Sequence, residues 1–282
     1  MTYTYESHIW SEEEALKFYN TVLRQLKPDE ADFFCVAARK KYMPPASAAA
    51  CRLGDTCMMG KTVLKKHNGR KFLSKLHQLD ASLDWFLPLD DTPLPRSCMC
   101  IYMNLNHTSV PKAVLDFKKE LAEYDFEFSM ATLRNTSDAQ AVGKLAGIHN
   151  RLLKAFQDPK NRVDEWTDID MDIAKTVDAA ALRQVVYGLE KSRFLLPVIE
   201  TQGGYHVLIS RSEISAVNKA LAFLYSGNEM KRHALTVERI LNALRAHCQA
   251  CGTEVKEISI NQNRMVPLPG TMQNGFPVRM HI

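Results

Sequence analysis

Apolar residues recur at helical spacing after Ser11, where Leu16, Tyr19, Val22 and Leu26 follow Glu12, Glu13 and Glu14. A capping serine, acids in the first turn and one apolar stripe predict an amphipathic helix over Ser11 to Leu26. Asp32 to Ala38 is a compact apolar run and predicts a buried strand, followed by Arg39-Lys40-Lys41-Tyr42 and a Pro-Pro break. Lys61 to Leu79 has helical spacing, with Asn68-Gly69 as a candidate interruption. Cys98 to Leu105 predicts a strand. Ser109 then opens a helix running to about Tyr124, with a proline near its first turn. Thr136 to Phe156 predicts another helix, ended by Asp158-Pro159-Lys160-Asn161.

Beyond that break the pattern changes. Trp166 to Ile173 alternates acid and apolar residues as a strand does, and Ala179 to Ser192 returns to helical spacing. Leu195 to Ile199 and Tyr205 to Ser210 predict paired strands around Gly203-Gly204. Helices are predicted over Glu213 to Tyr225 and Leu235 to His247, and a strand-rich tail from Val255 to Met280 is punctuated by Pro267, Pro269, Gly270 and Gly275. The division falls at 157/158. The pattern predicts an N-terminal α/β unit before this point and a strand-and-helix unit after it.

The chain has 282 residues, of which 46% are hydrophobic and 24% charged, with 12 glycines and 12 prolines, a balance that excludes collagen-like and wholly disordered classes. No apolar run reaches the ~20 residues of a membrane span, and the first residues lack the basic start and apolar stretch of a secretory signal. A cytoplasmic location without membrane association is the expectation. Seven cysteines are then expected as reduced thiols rather than a disulfide framework. The formal charge of +4 decides little in total. Its distribution matters more, because basic residues concentrate between Arg39 and Lys75.

The chemistry starts at Asp168-Ile169-Asp170-Met171-Asp172. On a strand these carboxylates share one face while Ile169, Met171 and Ile173 enter the core. Such a face is either solvated or neutralised by a divalent cation, and hard oxygen donors suit Mg²⁺ or Mn²⁺. About thirty residues on, the Gly203-Gly204 turn precedes a strand carrying His206, with Tyr205 and Val207 directed to the core and His206 and Leu208 to the other side. Glycines there offer bare backbone N–H groups to a phosphate, whereas a lone strand histidine is more often structural. A third segment, Asn263 to Arg279, combines basic residues with a Pro269-Gly270-Thr271 turn.

These three segments in this order resemble the archaeo-eukaryotic primase superfamily, most closely its primase-polymerase branch. Trp166-Thr-Asp-Ile-Asp-Met matches the hDhD strand, Gly204-Tyr-His206 the small-x-His strand, and Arg264-Met-Val-Pro-Leu-Pro-Gly-Thr271 the Arg-x-x-x-x-Pro-Gly-Thr-like segment. The resemblance covers roughly residues 160 to 280. It implies an α+β fold with an N-terminal α/β unit packed on a C-terminal RRM-like antiparallel sheet with flanking helices.

The resemblance further implies a nucleotidyltransferase that uses nucleoside triphosphates and Mg²⁺ or Mn²⁺ to make or extend primers on single-stranded DNA or RNA, in the replication of a mobile element or phage. Asp168 and Asp170 would be catalytic metal ligands. His206 would contact the incoming nucleotide, with Gly203, Gly204 and Arg264 as further nucleotide-binding residues and Lys219 and Arg211 as weaker candidates. The family's third acid has no aspartate here between Thr253 and Arg264. Glu257 is the candidate third ligand, with Glu254 and Asp172 as substitutes.

Arg39, Lys40, Lys65, Lys66, Arg70 and Lys71 are candidates for sequence-independent phosphate contacts, or else an ordinary solvated face. Tyr42 and Phe72 interleave with them as base-stacking candidates or as core. His247-Cys248-Gln-Ala-Cys251 holds one CxxC, short of the four ligands a structural zinc needs, so zinc is not expected unless Cys98 and Cys100 join it. With no Walker-type loop, any unwinding falls to a separate helicase. Two other classes compete: a catalytically silent nucleic-acid-binding replication protein and a metal-dependent phosphodiesterase or nuclease.

Overall fold

In the computed structural model the residues described are 6–24, 26–45, 48, 56–64, 68–83, 94–133, 148–163, 165–190, 195–212, 229–261 and 265–282. Helix α1 (Glu12–Val22) begins where the serine predicts, with Ser11 Oγ accepting the Glu14 N–H. Strand β1 (Glu30–Arg39) follows, buried along almost its whole length. Lys61 does not lie on a helix. It belongs to strand β2 (Thr56–Leu64), which pairs antiparallel with β1 and sets Lys61 opposite Cys35. The helix starts eight residues later as α2 (Gly69–Ser82), because Asn68 Oδ1 caps it by accepting the Lys71 N–H. Cross-strand pairing thus overrides the lysine spacing that reads as a helical face.

Strand β3 (Met99–Asn104), the short β4 (Thr108–Ser109), α3 (Val110–Leu133) and α4 (Ile148–Gln157) complete the N-terminal half. Helix α3 runs well past the expected Tyr124. The C-terminal half contains β5 (Trp166–Ile173), α5 (Ala179–Glu190), β6 (Val198–Glu200), β7 (Tyr205–Ser210), α6 (Glu229–Ala250) and β8 (Val255–Ile260). Four short strands close the chain: β9 (Met265–Pro267), β10 (Met272–Gln273), β11 (Phe276–Pro277) and β12 (Arg279–His281). The helix expected over Glu213 to Tyr225 lies outside the described residues.

The fold is α+β with antiparallel pairing throughout. One sheet has the order β2-β1-β3-β9, with β4 also on β1, and the other has the order β12-β6-β7-β5-β8. In the second sheet the chain runs strand, helix, two strands, helix, strand in the spatial order β6-β7-β5-β8, a split βαβ arrangement. The C-terminal tail also enters the first sheet, since β9 pairs with β3 and Tyr102 lies opposite Pro267.

Two cores hold these layers. Ile169, Met171, Ile173, Val207 and Ile209 pack with Leu182, Ile240 and Leu244 of α5 and α6. Phe34, Ile101 and Met103 pack with Phe18, Phe72 and Leu76, and the same cluster takes in Ile199 and Leu208 of the second sheet. Phe72 is therefore core rather than a base-stacking surface: it is fully buried, with ring centroids 5.1 Å from Tyr19 and 5.3 Å from Phe34. Among the described residues no helix is long and apolar enough to cross a membrane.

The Pro269-Gly270-Thr271 turn is buried under the start of α1. Gly270 has φ +86°, its carbonyl accepts the Trp10 and Ser11 N–H groups, and a Cβ there would lie 2.4 Å from the Ser11 carbonyl oxygen. Only glycine meets both demands.

Candidate functional site

The alternation along β5 separates its two faces as the pattern predicts: Ile169, Met171 and Ile173 enter the helix-covered core, and Asp168, Asp170 and Asp172 face the first sheet. Two tertiary contacts position this strand. Asn106 Oδ1 accepts the Glu165 and Trp166 N–H groups, and its Nδ2 donates to the Trp166 carbonyl at 3.0 Å. Beside it, His107 lies between Asp32 at 2.5 Å and Glu165 at 3.4 Å. These buried polar groups tie the first turn of the acid strand to β1 and to the segment after β3.

Strand β7 brings His206 opposite Asp170 in register and diagonal to Asp168. Its Nδ1 lies 3.0 Å from Asp168 Oδ2, and its Nε2 lies 3.7 Å from Asp170 Oδ1. Burial acts to push the imidazole down, but the Asp168 and Asp170 carboxylates outweigh it and raise its pKa to about 9. The ring is an imidazolium at neutral pH. Gly204 permits this approach of the strands: with φ +153°, a Cβ on it would sit 1.9 Å from the Met171 carbonyl oxygen. Gly203 leaves space instead, since a Cβ there would be 3.5 Å from Asp172 Oδ1.

Asp168 is almost fully buried. Besides His206, it accepts a 2.6 Å hydrogen bond from Asn261 Nδ2. The carboxylates that line the cleft between the sheets are Asp170, Asp172 and Glu257, with Glu257 opposite Asp172 on β8 and Ser259 opposite Asp170. Burial pushes the Asp170 carboxyl up, His206 pulls it down, and Asp168, Asp172 and Glu257 push it up again, leaving it raised. That crowding of hard oxygen donors is what a divalent cation would relieve. Among the described residues no group of three such side chains is placed to hold a metal ion; Asp170, Asp172 and Glu257 are the hard oxygen donors of the cleft, while Asp168 faces the imidazolium rather than the cleft.

The cleft has a volume of about 570 Å³, within the usual range of small-molecule sites. Arg39, Lys41, Tyr42 and Tyr102 from the first half, with Arg162 from the segment just after it, face the acids across it, and Gly203, Gly204 and His206 complete its acidic side. Of the residues singled out in the sequence, Asp170, Asp172, His206, Gly203, Gly204, Glu257, Arg39 and Tyr42 therefore meet in one place. Lys40, Arg70 and Lys71 are not among the cleft residues; Arg70 and Lys71 are exposed on α2. Arg211 follows the other end of β7, where its N–H donates to the Glu165 carbonyl. Lys65, Lys66, Lys219 and Arg264 lie outside the described residues.

Sequence spacing misses Tyr102, Arg162 and Asn261, because each reaches the site only through tertiary pairing. The cysteines separate: Cys98 and Cys100 lie in the core of the first sheet and Cys248 in that of the second, while Cys251 is exposed. Comparisons with protein-family models, with characterised proteins and with solved structures each give no match.

Proposed function

We propose that this protein is a primase-polymerase-like nucleotidyltransferase, which uses nucleoside triphosphates to make or extend primers on a single-stranded template. The observation that carries this reading is the cleft, where strand acids and a buried imidazolium lie opposite a wall of cationic side chains. The order β6-β7-β5-β8, with α5 and α6 on one face, is that of an RRM-like sheet and supports the same reading.

Asp170, Asp172 and Glu257 would hold Mg²⁺ or Mn²⁺. The cation, when bound, supplies activation of a primer or initiating hydroxyl and neutralises charge on the triphosphate. His206, kept cationic by Asp168, would bind phosphate oxygens beside the bare backbone of Gly203 and Gly204. Asp168 holds that ring and its charge in place. Arg39, Lys41 and Arg162 would bind phosphates from the opposite wall, and the cleft between two sheets would exclude bulk water from them.

One observation favours a second reading, a nucleic-acid-binding replication protein without turnover: Asn261 and His206 occupy the Asp168 carboxylate. Primer extension and de novo synthesis with Mn²⁺, comparing the wild type with Asp168→Ala/Asp170→Ala, separate the readings. Synthesis by the wild type and its loss in the double variant are expected. Product persisting in the variant sinks the catalytic assignment, template binding without synthesis selects the silent reading, and strand shortening selects a nuclease.

A further inference from the structure

Arg39 closes β1 on the cleft wall opposite the acids. Its only side-chain hydrogen bond among the described residues runs from Nη1 to the Tyr102 hydroxyl at 2.8 Å. Burial holds that phenol well above its ordinary pKa, so this partner is neutral, and among the described residues no ion pair joins the guanidinium. The Nε–H is buried with no hydrogen-bond partner among the described residues. A buried N–H of a charged group left unmade is costly, and a bound water, ion or ligand is one way to complete it.

The bond to Tyr102 uses one N–H of Nη1 and fixes the guanidinium on the cleft wall. A guanidinium held in this way has further N–H groups, and such groups bind phosphate oxygens strongly. Lys41 and the buried Arg162 line the same cleft and add positive charge. A carboxylate ligand would also fit, but three cationic side chains on one wall suit the higher charge of a phosphate chain.

We infer that Arg39, with Tyr102 as its positioning residue, forms a phosphate subsite on the wall of the cleft opposite Asp170 and Asp172. The inference rests on the nucleotide-handling reading above and gives that reading a specific phosphate contact outside the acid and histidine strands. The phosphate comes either from a nucleotide's triphosphate or from the backbone of a bound strand.

Isothermal titration of the full chain with inorganic triphosphate, without divalent cations, tests the subsite. The wild type is expected to bind. Arg39→Gln should weaken binding by at least about tenfold, and Arg39→Lys, which keeps the charge but loses the guanidinium, by several-fold. Tyr102→Phe should weaken it several-fold at an unchanged melting temperature. A parallel titration with a single-stranded oligonucleotide separates the sources. Loss confined to triphosphate assigns the subsite to the nucleotide, loss confined to the oligonucleotide assigns it to the strand, and either result supports a phosphate subsite.

Folded Arg39→Gln and Arg39→Lys proteins that titrate both probes like the wild type overturn it, as does a wild type that binds neither. Neither titration needs turnover. A chain that binds triphosphate through Arg39 yet synthesises nothing therefore supports the subsite and overturns only the nucleotidyl-transfer reading.

Discussion

His206 and Asp168 form a buried ion pair diagonally across β7 and β5, with Nδ1 and Oδ2 3.0 Å apart. Each compensates the other's charge where little water reaches. Removing one partner strands a buried charge, so Asp168→Asn and His206→Gln should each cost about 3 kcal/mol of stability. The double variant should cost clearly less than their sum. Denaturant unfolding of the four proteins measures the coupling, and additive costs would mean that the two groups do not act as a pair.

Strand β7 reaches β5 through a glycine that no other residue replaces. Gly204→Ala would drive a Cβ to 1.9 Å from the Met171 carbonyl oxygen at a φ of +153°, so the strands must part. A loss of about 3 kcal/mol or more is expected, together with displacement of His206. Gly203→Ala meets only an ordinary 3.5 Å contact with Asp172 Oδ1 and should change stability by less than about 1 kcal/mol. Unfolding curves of the two variants test this contrast directly.

The same two strands show how far the sequence reaches. Alternation fixes which face Asp168, Asp170 and His206 share, because a strand's period of two leaves no other choice. It does not say which strand lies across the cleft. The lysines between Lys61 and Lys75 imitate a helical face, yet pairing with β1 makes Lys61 part of a strand. Tyr102 lies 60 positions from Tyr42 and 60 from Arg162, its nearest cleft neighbours in the sequence, in no local pattern at all, because sheet pairing and packing alone bring it to the site. The tail poses a similar problem: no spacing rule announces that β9 leaves its own half to pair with β3.

Arg24 and Glu30 offer a pH test away from the cleft. Two bonds of 2.7 Å join the guanidinium to the Glu30 carboxylate, and Arg24 also pairs with Glu165 beside β5. The bond to Arg24 outweighs burial, and with the Lys27 N–H it lowers the Glu30 pKa from 4.5 to about 2. A folded-state pKa below the unfolded value gives stability that is present above pH 4.5 and lost as pH falls through 2. With solvent reaching Arg24, this amounts to about 2 kcal/mol. The melting-temperature gap between the wild type and Glu30→Gln should therefore hold from pH 7 to 5 and narrow towards pH 2. A constant gap would show that the carboxylate charge contributes nothing.

Asn261 occupies the place where an additional acid would meet Asp168. Its Nδ2 donates 2.6 Å to Asp168 and 3.0 Å to the Met265 carbonyl, so the amide stabilises the carboxylate and anchors the entry to β9. In Asn261→Asp both donations disappear, and a second carboxylate stands against the first. Without divalent cations the variant should lose about 2 kcal/mol, because like charges crowd a buried site that has lost its donor. Mn²⁺ should restore part of that loss, since a cation that binds only the folded state stabilises it by mass action. Melting temperatures of both proteins across a Mn²⁺ titration provide the check, with a larger Mn²⁺-dependent rise expected in the variant. An equal rise would separate position 261 from the cation site and leave Asp170, Asp172 and Glu257 as its proposed donors.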